Sequence, residues 1–239
     1  MPTPTTRAEA VQIPDGSVRL DADLHVPSPC DGLVIFAHGS GSSRFSPRNR
    51  QVAGFLESAG FATLLLDLLT RDEEAVDLYT REFRFDIDRL GRRVVAAADW
   101  AAQQPVLRDM NVGYFGASTG AAAALIAAAE RPEVSAAVVS RGGRPDLAGP
   151  ALAAVRAPTL LIVGGNDEPV IELNAQAKRQ MHTVVRIEIV PGATHLFEEP
   201  GTLEQVEQLA VDWFRQYLPR QAGRKGPVEM LDGVAADEI

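Results

Sequence analysis

The sequence predicts an α/β fold with a mostly parallel central sheet of about eight strands and helices on both faces. Short, continuous apolar runs recur along the chain, as expected of parallel strands that are covered on both faces. Longer segments with helical periodicity separate these runs. In the middle of this alternation stands a predicted strand-to-helix turn, Gly116-Ala117-Ser118-Thr119-Gly120. Strands that alternate with helices indicate a sheet wrapped by helices.

The first strands differ from the later ones. Between Ala10 and Val26 apolar and polar residues alternate around the turn Pro14-Asp15-Gly16, which is typical of one or two antiparallel edge strands. The later strands are predicted at 33–37, 61–66, 112–115, 134–139, 159–163 and 184–190. Helices are predicted at 47–59, 85–103, 119–130, 170–181 and 202–218.

Two connections bear on the domain organisation. Residues 70–84 are charged and predict a loop or short helix over the strand ends, whereas the connection at 140–158 is too short for a large lid domain. We therefore expect a single domain over residues 1–218 with no large lid. Residues 219–239 lack periodicity and predict a flexible or weakly docked tail.

Composition excludes several classes of protein. The chain of 239 residues is 46% hydrophobic and 23% charged, which is ordinary for a soluble protein. It has no apolar run long enough to cross a membrane and no signal-peptide core at its start, so we expect a cytoplasmic protein. The single cysteine, Cys30, excludes a cysteine-cluster metal site, and we expect neither a metal nor a cofactor. A net charge of −9 disfavours nucleic acid and anionic membranes as partners.

Ser118 is the predicted nucleophile. A serine at the apex of a strand–turn–helix needs a strained backbone, and glycine on either side lets the strand and the helix pass close by. Such a serine needs a base and an orienting carboxylate. We predict His195 as the base, because its loop leaves the last strand at the same sheet edge. Asp167 follows a buried strand and is the predicted acid, with its neighbour Glu168 as the competitor.

Two backbone N–H groups are predicted to form an oxyanion hole. One belongs to Thr119, directly after the nucleophile. The other is assigned to Ser40, with Gly39 as the neighbouring possibility, because small residues follow the third strand there. His38 is interpreted as a structural residue that braces this loop.

Together, the motifs HGSGSS, GASTG, GGND and GATHLF resemble the α/β-hydrolase superfamily, and the small lidless architecture is most similar to its dienelactone hydrolase branch. The likeness spans roughly residues 18–218. It implies the α/β-hydrolase fold and a cofactor-free hydrolase that acts on a small ester or related acyl compound. Dienelactone hydrolases proper use a cysteine nucleophile, so the serine at position 118 favours a serine carboxylesterase. The chain also resembles bacterial hydrolase domains that occur alone or fused to a phosphoribosyltransferase, and no transferase segment is evident in these residues.

Arginines gather at predicted strand ends, and an anionic substrate could contact them. The candidates for substrate binding are Arg44, Arg141 and Arg144.

Two other functions stay open at this point. The fold could serve only for binding or regulation. Alternatively, Gly39-Ser40-Gly41 and Asp67 could belong to a dinucleotide site, although Arg44 stands where the fingerprint needs glycine. The sequence does not predict the oligomeric state or the natural substrate.

Overall fold

The computed structural model describes residues 7–218, so the predicted tail at 219–239 lies outside the described part of the chain. Its strands form a single eight-stranded sheet in the order β1-β2-β4-β3-β5-β6-β7-β8. The strands are β1 (Arg7–Asp15), β2 (Val18–Val26), β3 (Leu33–Ala37), β4 (Ala62–Leu66), β5 (Val112–Ala117), β6 (Ser135–Arg141), β7 (Thr159–Gly164) and β8 (Val185–Val190). Strand β2 runs antiparallel to both β1 and β4, and strands β3 to β8 are parallel to one another. This confirms the predicted α/β class and the mostly parallel sheet.

Helices cover the sheet close to the predicted positions. They are α1 (Pro47–Ser58), α2 (Arg71–Thr80), α3 (Ile87–Gln103), α4 (Thr119–Glu130), α5 (Glu168–Gln180) and α6 (Thr202–Tyr217). The connection after β6 contains a 3-10 segment, Pro145–Ala154, and no large extra domain is evident among the described residues. The charged segment after β4 forms the short helix α2. None of the helices within residues 7–218 combines the length and apolar character that a membrane span needs.

The core has two layers, one on each face of the sheet. In β3, Leu33 and Ile35 pack into the layer beneath α3 and α4, while Val34 and Phe36 pack into the layer beneath α1 and α6. Alternate residues of a strand point to opposite faces, so a strand buried on both faces has to be apolar throughout. This is why the parallel strands were recognisable as continuous apolar runs.

Helix α2 is held over the strand ends by charged side chains. The Thr70 hydroxyl accepts the Glu73 N–H at 3.2 Å, and the Glu73 carboxylate accepts the Thr70 N–H at 2.8 Å. The same carboxylate accepts two hydrogen bonds of 2.7 Å from the buried Arg93 guanidinium of α3. This capping box, tied to a buried cation, fixes the start of α2 beside the carboxyl edge of the sheet.

Candidate active site

The turn between β5 and α4 has the geometry of a nucleophile elbow. Ser118 has φ 51° and ψ −123°, which is a strained backbone conformation for a residue other than glycine. A Cβ at Gly116 would lie 2.4 Å from the Ala121 Cα, and one at Gly120 would lie 2.2 Å from the Ala37 carbonyl oxygen. Both glycines are therefore required by close backbone contacts, and Ser118 projects from the carboxyl edge of the sheet.

Substituting Gly120 with alanine is expected to destabilise the protein by about 3 kcal/mol, because the added methyl group would overlap with backbone that cannot move away. Urea unfolding measures this change. The matched control is Gly54→Ala in α1, where an added Cβ meets no atom within 4 Å. That variant is expected to gain about 0.5–1 kcal/mol from helix propensity. Equal stability of the two variants would contradict the packing argument.

Ser118, His195 and Asp167 lie in one hydrogen-bonded line. The His195 Nδ1 lies 2.7 Å from Asp167 Oδ2, and its Nε2 lies 3.3 Å from Ser118 Oγ. A carboxylate at Nδ1 favours the tautomer with the proton on that nitrogen, which leaves Nε2 free to accept the Ser118 hydroxyl proton. The His195 side chain is 38% exposed and the Asp167 side chain 14% exposed, so the line is open to solvent on the histidine side.

Asp167 stands at the N-cap position of α5 without capping it. An aspartate there usually accepts an N–H of the first helical turn, but the Asp167 side chain makes no such bond. Its carboxylate is turned towards His195 instead. The competing residue, Glu168, is the first residue of the helix and is exposed. Geometry thus separates two neighbouring carboxylates that the sequence alone left as alternatives.

The loops that carry Asp167 and His195 are bound to each other. The Asn166 N–H donates to the Ala193 carbonyl oxygen and the Asn166 side-chain amide donates to the Gly192 carbonyl oxygen, both at 2.9 Å. A Cβ at Gly164 would lie 2.5 Å from the Ala193 oxygen, so the two loops touch through their backbones. These contacts hold the imidazole and the carboxylate at a fixed separation.

The predicted oxyanion loop lies against the elbow. A Cβ on Gly39 would lie 3.0 Å from the Ser118 Cβ. The Ser40 N–H donates to the Thr119 hydroxyl at 2.9 Å. The Thr119 N–H belongs to the first residue of α4 and so has no carbonyl partner within the helix. Sequence reasoning missed the Thr119 side chain, because only its backbone was considered.

His38 braces this loop as a neutral ring. Its Nδ1 donates to the Gly39 carbonyl oxygen at 2.8 Å, and its Nε2 accepts the Leu68 N–H at 3.0 Å. Burial lowers the pKa of His38, and the hydrogen bond to Gly39 and the charge of Asp67 only partly offset this effect. Both ring nitrogens are engaged, so His38 is not placed to act as a second base.

The three arginine candidates have different surroundings. Arg44 forms ion pairs with Asp67, Asp23 and Asp21, and Arg144 forms two hydrogen bonds of 2.8 and 2.7 Å with Asp146. Their charges are already matched by carboxylates, which argues against a role in binding an anionic substrate. Arg141 is buried and has no carboxylate partner within residues 7–218. Across the same residues, no cluster of three or more histidine, cysteine or acidic side chains is placed to hold a metal ion.

Comparison with known proteins identifies the family of this chain. Residues 22–218 match the sequence model of the dienelactone hydrolase family. The chain belongs to this family. A crystal structure of a dienelactone hydrolase from Anabaena variabilis is 58% identical, with a TM-score of 0.87 over 89% of this chain and 99% of that one. Both the family and this fold support a hydrolase.

More distant structures share only the fold of this dienelactone hydrolase family member. Est1E from Butyrivibrio proteoclasticus, solved with ferulic acid bound, is 18% identical, with a TM-score of 0.73 over 87% of this chain and 99% of that one. Among curated proteins, two from Mycobacterium tuberculosis strains, both named "Putative phosphoribosyl transferase", are 56% identical over 90% of this chain. The chain spans about half of their length, 48% in each case.

Proposed function

We propose that this protein is a serine hydrolase that cleaves the ester bond of a small acyl compound through an acyl-enzyme intermediate. The observation that carries the proposal is the line of hydrogen bonds from Ser118 through His195 to Asp167. The nucleophile has a base within reach, and the base has an orienting carboxylate. Membership of the dienelactone hydrolase family supports the reaction class.

In the acylation half, Ser118 Oγ attacks the carbonyl carbon while its proton passes to His195 Nε2. Asp167 stabilises the imidazolium that forms. The new Oγ–C bond converts the carbonyl oxygen into an oxyanion, which the N–H groups of Thr119 and Ser40 stabilise. When the tetrahedral intermediate collapses, the C–O bond to the leaving alcohol breaks and His195 returns the proton to that alcohol.

The second half reverses these roles with water. His195 Nε2 takes a proton from a water molecule as its oxygen attacks the acyl carbon. The bond from Ser118 Oγ to carbon then breaks, the proton returns to Oγ, and the acid leaves. Neither half of the reaction requires a cofactor.

The Ser40 N–H has a specific part in this scheme. In the free protein it donates to the Thr119 hydroxyl, so this donor is held beside the elbow before substrate arrives. When the tetrahedral intermediate forms on Ser118, the oxyanion of the substrate replaces the Thr119 hydroxyl as the acceptor of the Ser40 N–H. A donor oriented in advance needs little reorganisation when charge develops.

A cleft beside the oxyanion loop offers room for part of the substrate. It has a volume of about 140 Å³ and is bounded by residues 38–43, the end of β4 and helix α2. Leucine side chains supply apolar surface, and charged side chains of both signs line the cleft as well: Leu68, Leu69, Leu78, Leu90, Asp67, Glu74, Asp77 and Arg84. This cleft suits a short group, because its volume is well below the ~300–1,000 Å³ of typical drug-sized ligand pockets.

The name carried by the Mycobacterium tuberculosis relatives does not lead to a second proposal. Those proteins are about twice as long as the matched segment, and residues 22–218 are accounted for by a hydrolase family. Phosphoribosyl transfer is therefore not proposed for this chain.

Covalent labelling tests the proposal directly. A fluorophosphonate probe should react once per chain, with an Oγ–P bond forming on Ser118 as the P–F bond breaks and the proton leaves with fluoride. Peptide mass spectrometry locates the label. His195→Ala should slow the labelling strongly, because the hydroxyl then lacks its base. A chain that takes no label and does not hydrolyse p-nitrophenyl acetate would support the alternative of a hydrolase fold kept for binding alone.

A further inference from the structure

Asn174 lies in the middle of α5, and its side chain is fully buried. Its amide nitrogen donates to the Val170 carbonyl oxygen of the same helix at 2.7 Å and to the Gly143 carbonyl oxygen at 3.0 Å. Its Oδ1 has no hydrogen-bond partner among residues 7–218. A buried acceptor without a partner is costly, and leucine, which is of similar size, would avoid that cost. The fold nevertheless retains an amide here, and the contact that this amide makes outside its own helix is the bond to Gly143.

The Gly143–Arg144 peptide group connects Asn174 to the nucleophile. The carbonyl oxygen of this peptide accepts the hydrogen bond from Asn174. Its N–H, which belongs to Arg144, donates to the Ser118 carbonyl oxygen at 3.0 Å. A peptide group is planar and rigid, so the two bonds hold it from opposite sides. The line of contacts therefore runs from α5 through a single rigid group to the backbone of Ser118.

The backbone of Ser118 depends on such contacts because it is strained. Its φ of 51° and ψ of −123° persist only where the surrounding structure imposes them. The Ser118 N–H donates to the Arg141 carbonyl oxygen at 3.3 Å. The Ser118 carbonyl oxygen accepts the N–H groups of Ala121 at 3.1 Å and Arg144 at 3.0 Å. Two of these three bonds come from the end of β6 and the loop after it. A rotation of the Ser118 backbone would carry Oγ away from His195 Nε2, which lies 3.3 Å from it.

The loop after β6 is packed between the base and the elbow helix. A Cβ on Gly142 would lie 2.9 Å from the His195 carbonyl oxygen. A Cβ on Gly143 would lie 2.6 Å from the Ala121 Cβ of α4. The loop therefore has little room to move towards either neighbour, and Asn174 holds it from the side of α5. Its position is coupled to both partners of the proton transfer.

We propose that Asn174 is a positioning residue for the nucleophile. Through the Gly143–Arg144 peptide it holds Ser118 Oγ at a distance from the base that permits proton transfer. The inference rests on the proposed function and adds to it a residue that lies away from the reacting atoms. Helix α5 then supports the site twice, because Asp167 at its start orients the base and Asn174, about two turns further on, braces the nucleophile.

Asn174→Leu tests this role, because it removes the donor and nearly keeps the size of the side chain. The kcat for p-nitrophenyl acetate is expected to fall about 10- to 100-fold, since a displacement of about 1 Å at the reacting atoms has an effect of that order. KM should change by less than about threefold, because the lost contact acts on the transition state and not on substrate binding. Labelling of Ser118 by the fluorophosphonate probe should slow by a factor similar to that for kcat.

The matched control is Thr159→Val. Thr159 is also fully buried, and its hydroxyl donates to the Ala157 carbonyl oxygen at 3.0 Å. Valine therefore removes a buried side-chain donor from a backbone carbonyl group, as Asn174→Leu does, but at the first residue of β7, away from the carboxyl edge of the sheet. Thr159→Val is expected to lower Tm and to leave kcat unchanged. Equal losses of kcat in the two variants would overturn the positioning role.

Asn174→Thr isolates the bond to Gly143. A threonine hydroxyl in a helix can donate to the carbonyl oxygen four residues earlier, here that of Val170, but it is too short to replace the amide at Gly143. This variant is expected to lose as much kcat as Asn174→Leu. A kcat equal to that of the wild-type protein would show that the bond to Gly143 does not position the nucleophile.

Amide hydrogen exchange separates this inference from the proposed function, because it needs no substrate. In Asn174→Thr, the Arg144 and Ser118 amides, resolved by NMR, should exchange faster than in the wild-type protein, and Thr159→Val should leave them unchanged. Faster exchange in a protein that hydrolyses no ester and takes no label would refute the hydrolase and retain Asn174 as a brace of the elbow. Unchanged exchange together with a wild-type kcat would refute the positioning role and retain the hydrolase.

Discussion

Ser118→Ala is expected to lower kcat for p-nitrophenyl acetate by about 10⁴-fold or more, since the acyl-enzyme cannot form without the hydroxyl. The two oxyanion N–H groups and the binding cleft remain in this variant, so a small residual rate over water is expected. Alanine keeps the strained backbone of the elbow, because the positive φ is imposed by the contacts of Gly116 and Gly120. Urea unfolding should therefore match that of the wild-type protein within about 0.5–1 kcal/mol.

The matched control for this experiment is Ser58→Ala. Ser58 is an exposed serine at the end of α1, and its hydroxyl only donates to the Gly54 carbonyl oxygen of the same helix. Its kcat should equal that of the wild-type protein. Ester turnover by Ser118→Ala at a rate close to wild type would show that another nucleophile acts, and it would refute the proposed mechanism.

Features set by local pattern were predictable from the sequence. Continuous apolar runs located the parallel strands, because a strand buried on both faces admits few polar residues. The elbow was recognisable at Ser118, since the space required around it restricts the flanking positions to glycine. That Ser118, Asp167 and His195 lie together also followed from the rule that loops at the carboxyl ends of parallel strands share one edge.

Side-chain pairing was not predictable, because it depends on residues far apart in the chain. Arg44 and Arg141 are both arginines near strand ends, and only the structure shows that the first meets Asp21 and Asp23 of β2. Arg141 was a candidate for the same reason as Arg44, yet its Nε and Nη1 have no hydrogen-bond partner among residues 7–218. The bond between the Ser40 N–H and the Thr119 hydroxyl likewise joins two distant loops.

Asp167→Asn is expected to lower kcat for p-nitrophenyl acetate by about 10³- to 10⁴-fold while leaving the fold intact. The carboxylate accepts the Nδ1 proton of His195 at 2.7 Å and so fixes the tautomer that leaves Nε2 free for Ser118. An asparagine amide can donate to Nδ1 instead, which moves the ring proton to Nε2 and removes the base. Stability should change little, because the Asp167 side chain does not cap α5.

Glu168→Gln is the control that makes this prediction specific. The two carboxylates are adjacent in the chain, carry the same charge and both lie at the start of α5, so a general electrostatic effect on the site would appear in both variants. Only Asp167 contacts the imidazole, whereas Glu168 is exposed and contributes through the helix dipole, an effect of about 0.3–1 kcal/mol on stability. Glu168→Gln should therefore keep a kcat close to that of the wild-type protein. If Glu168→Gln lost as much activity as Asp167→Asn, the orienting role of Asp167 would be wrong. The loss of activity would then reflect the negative charge at the start of α5 and not the contact with His195.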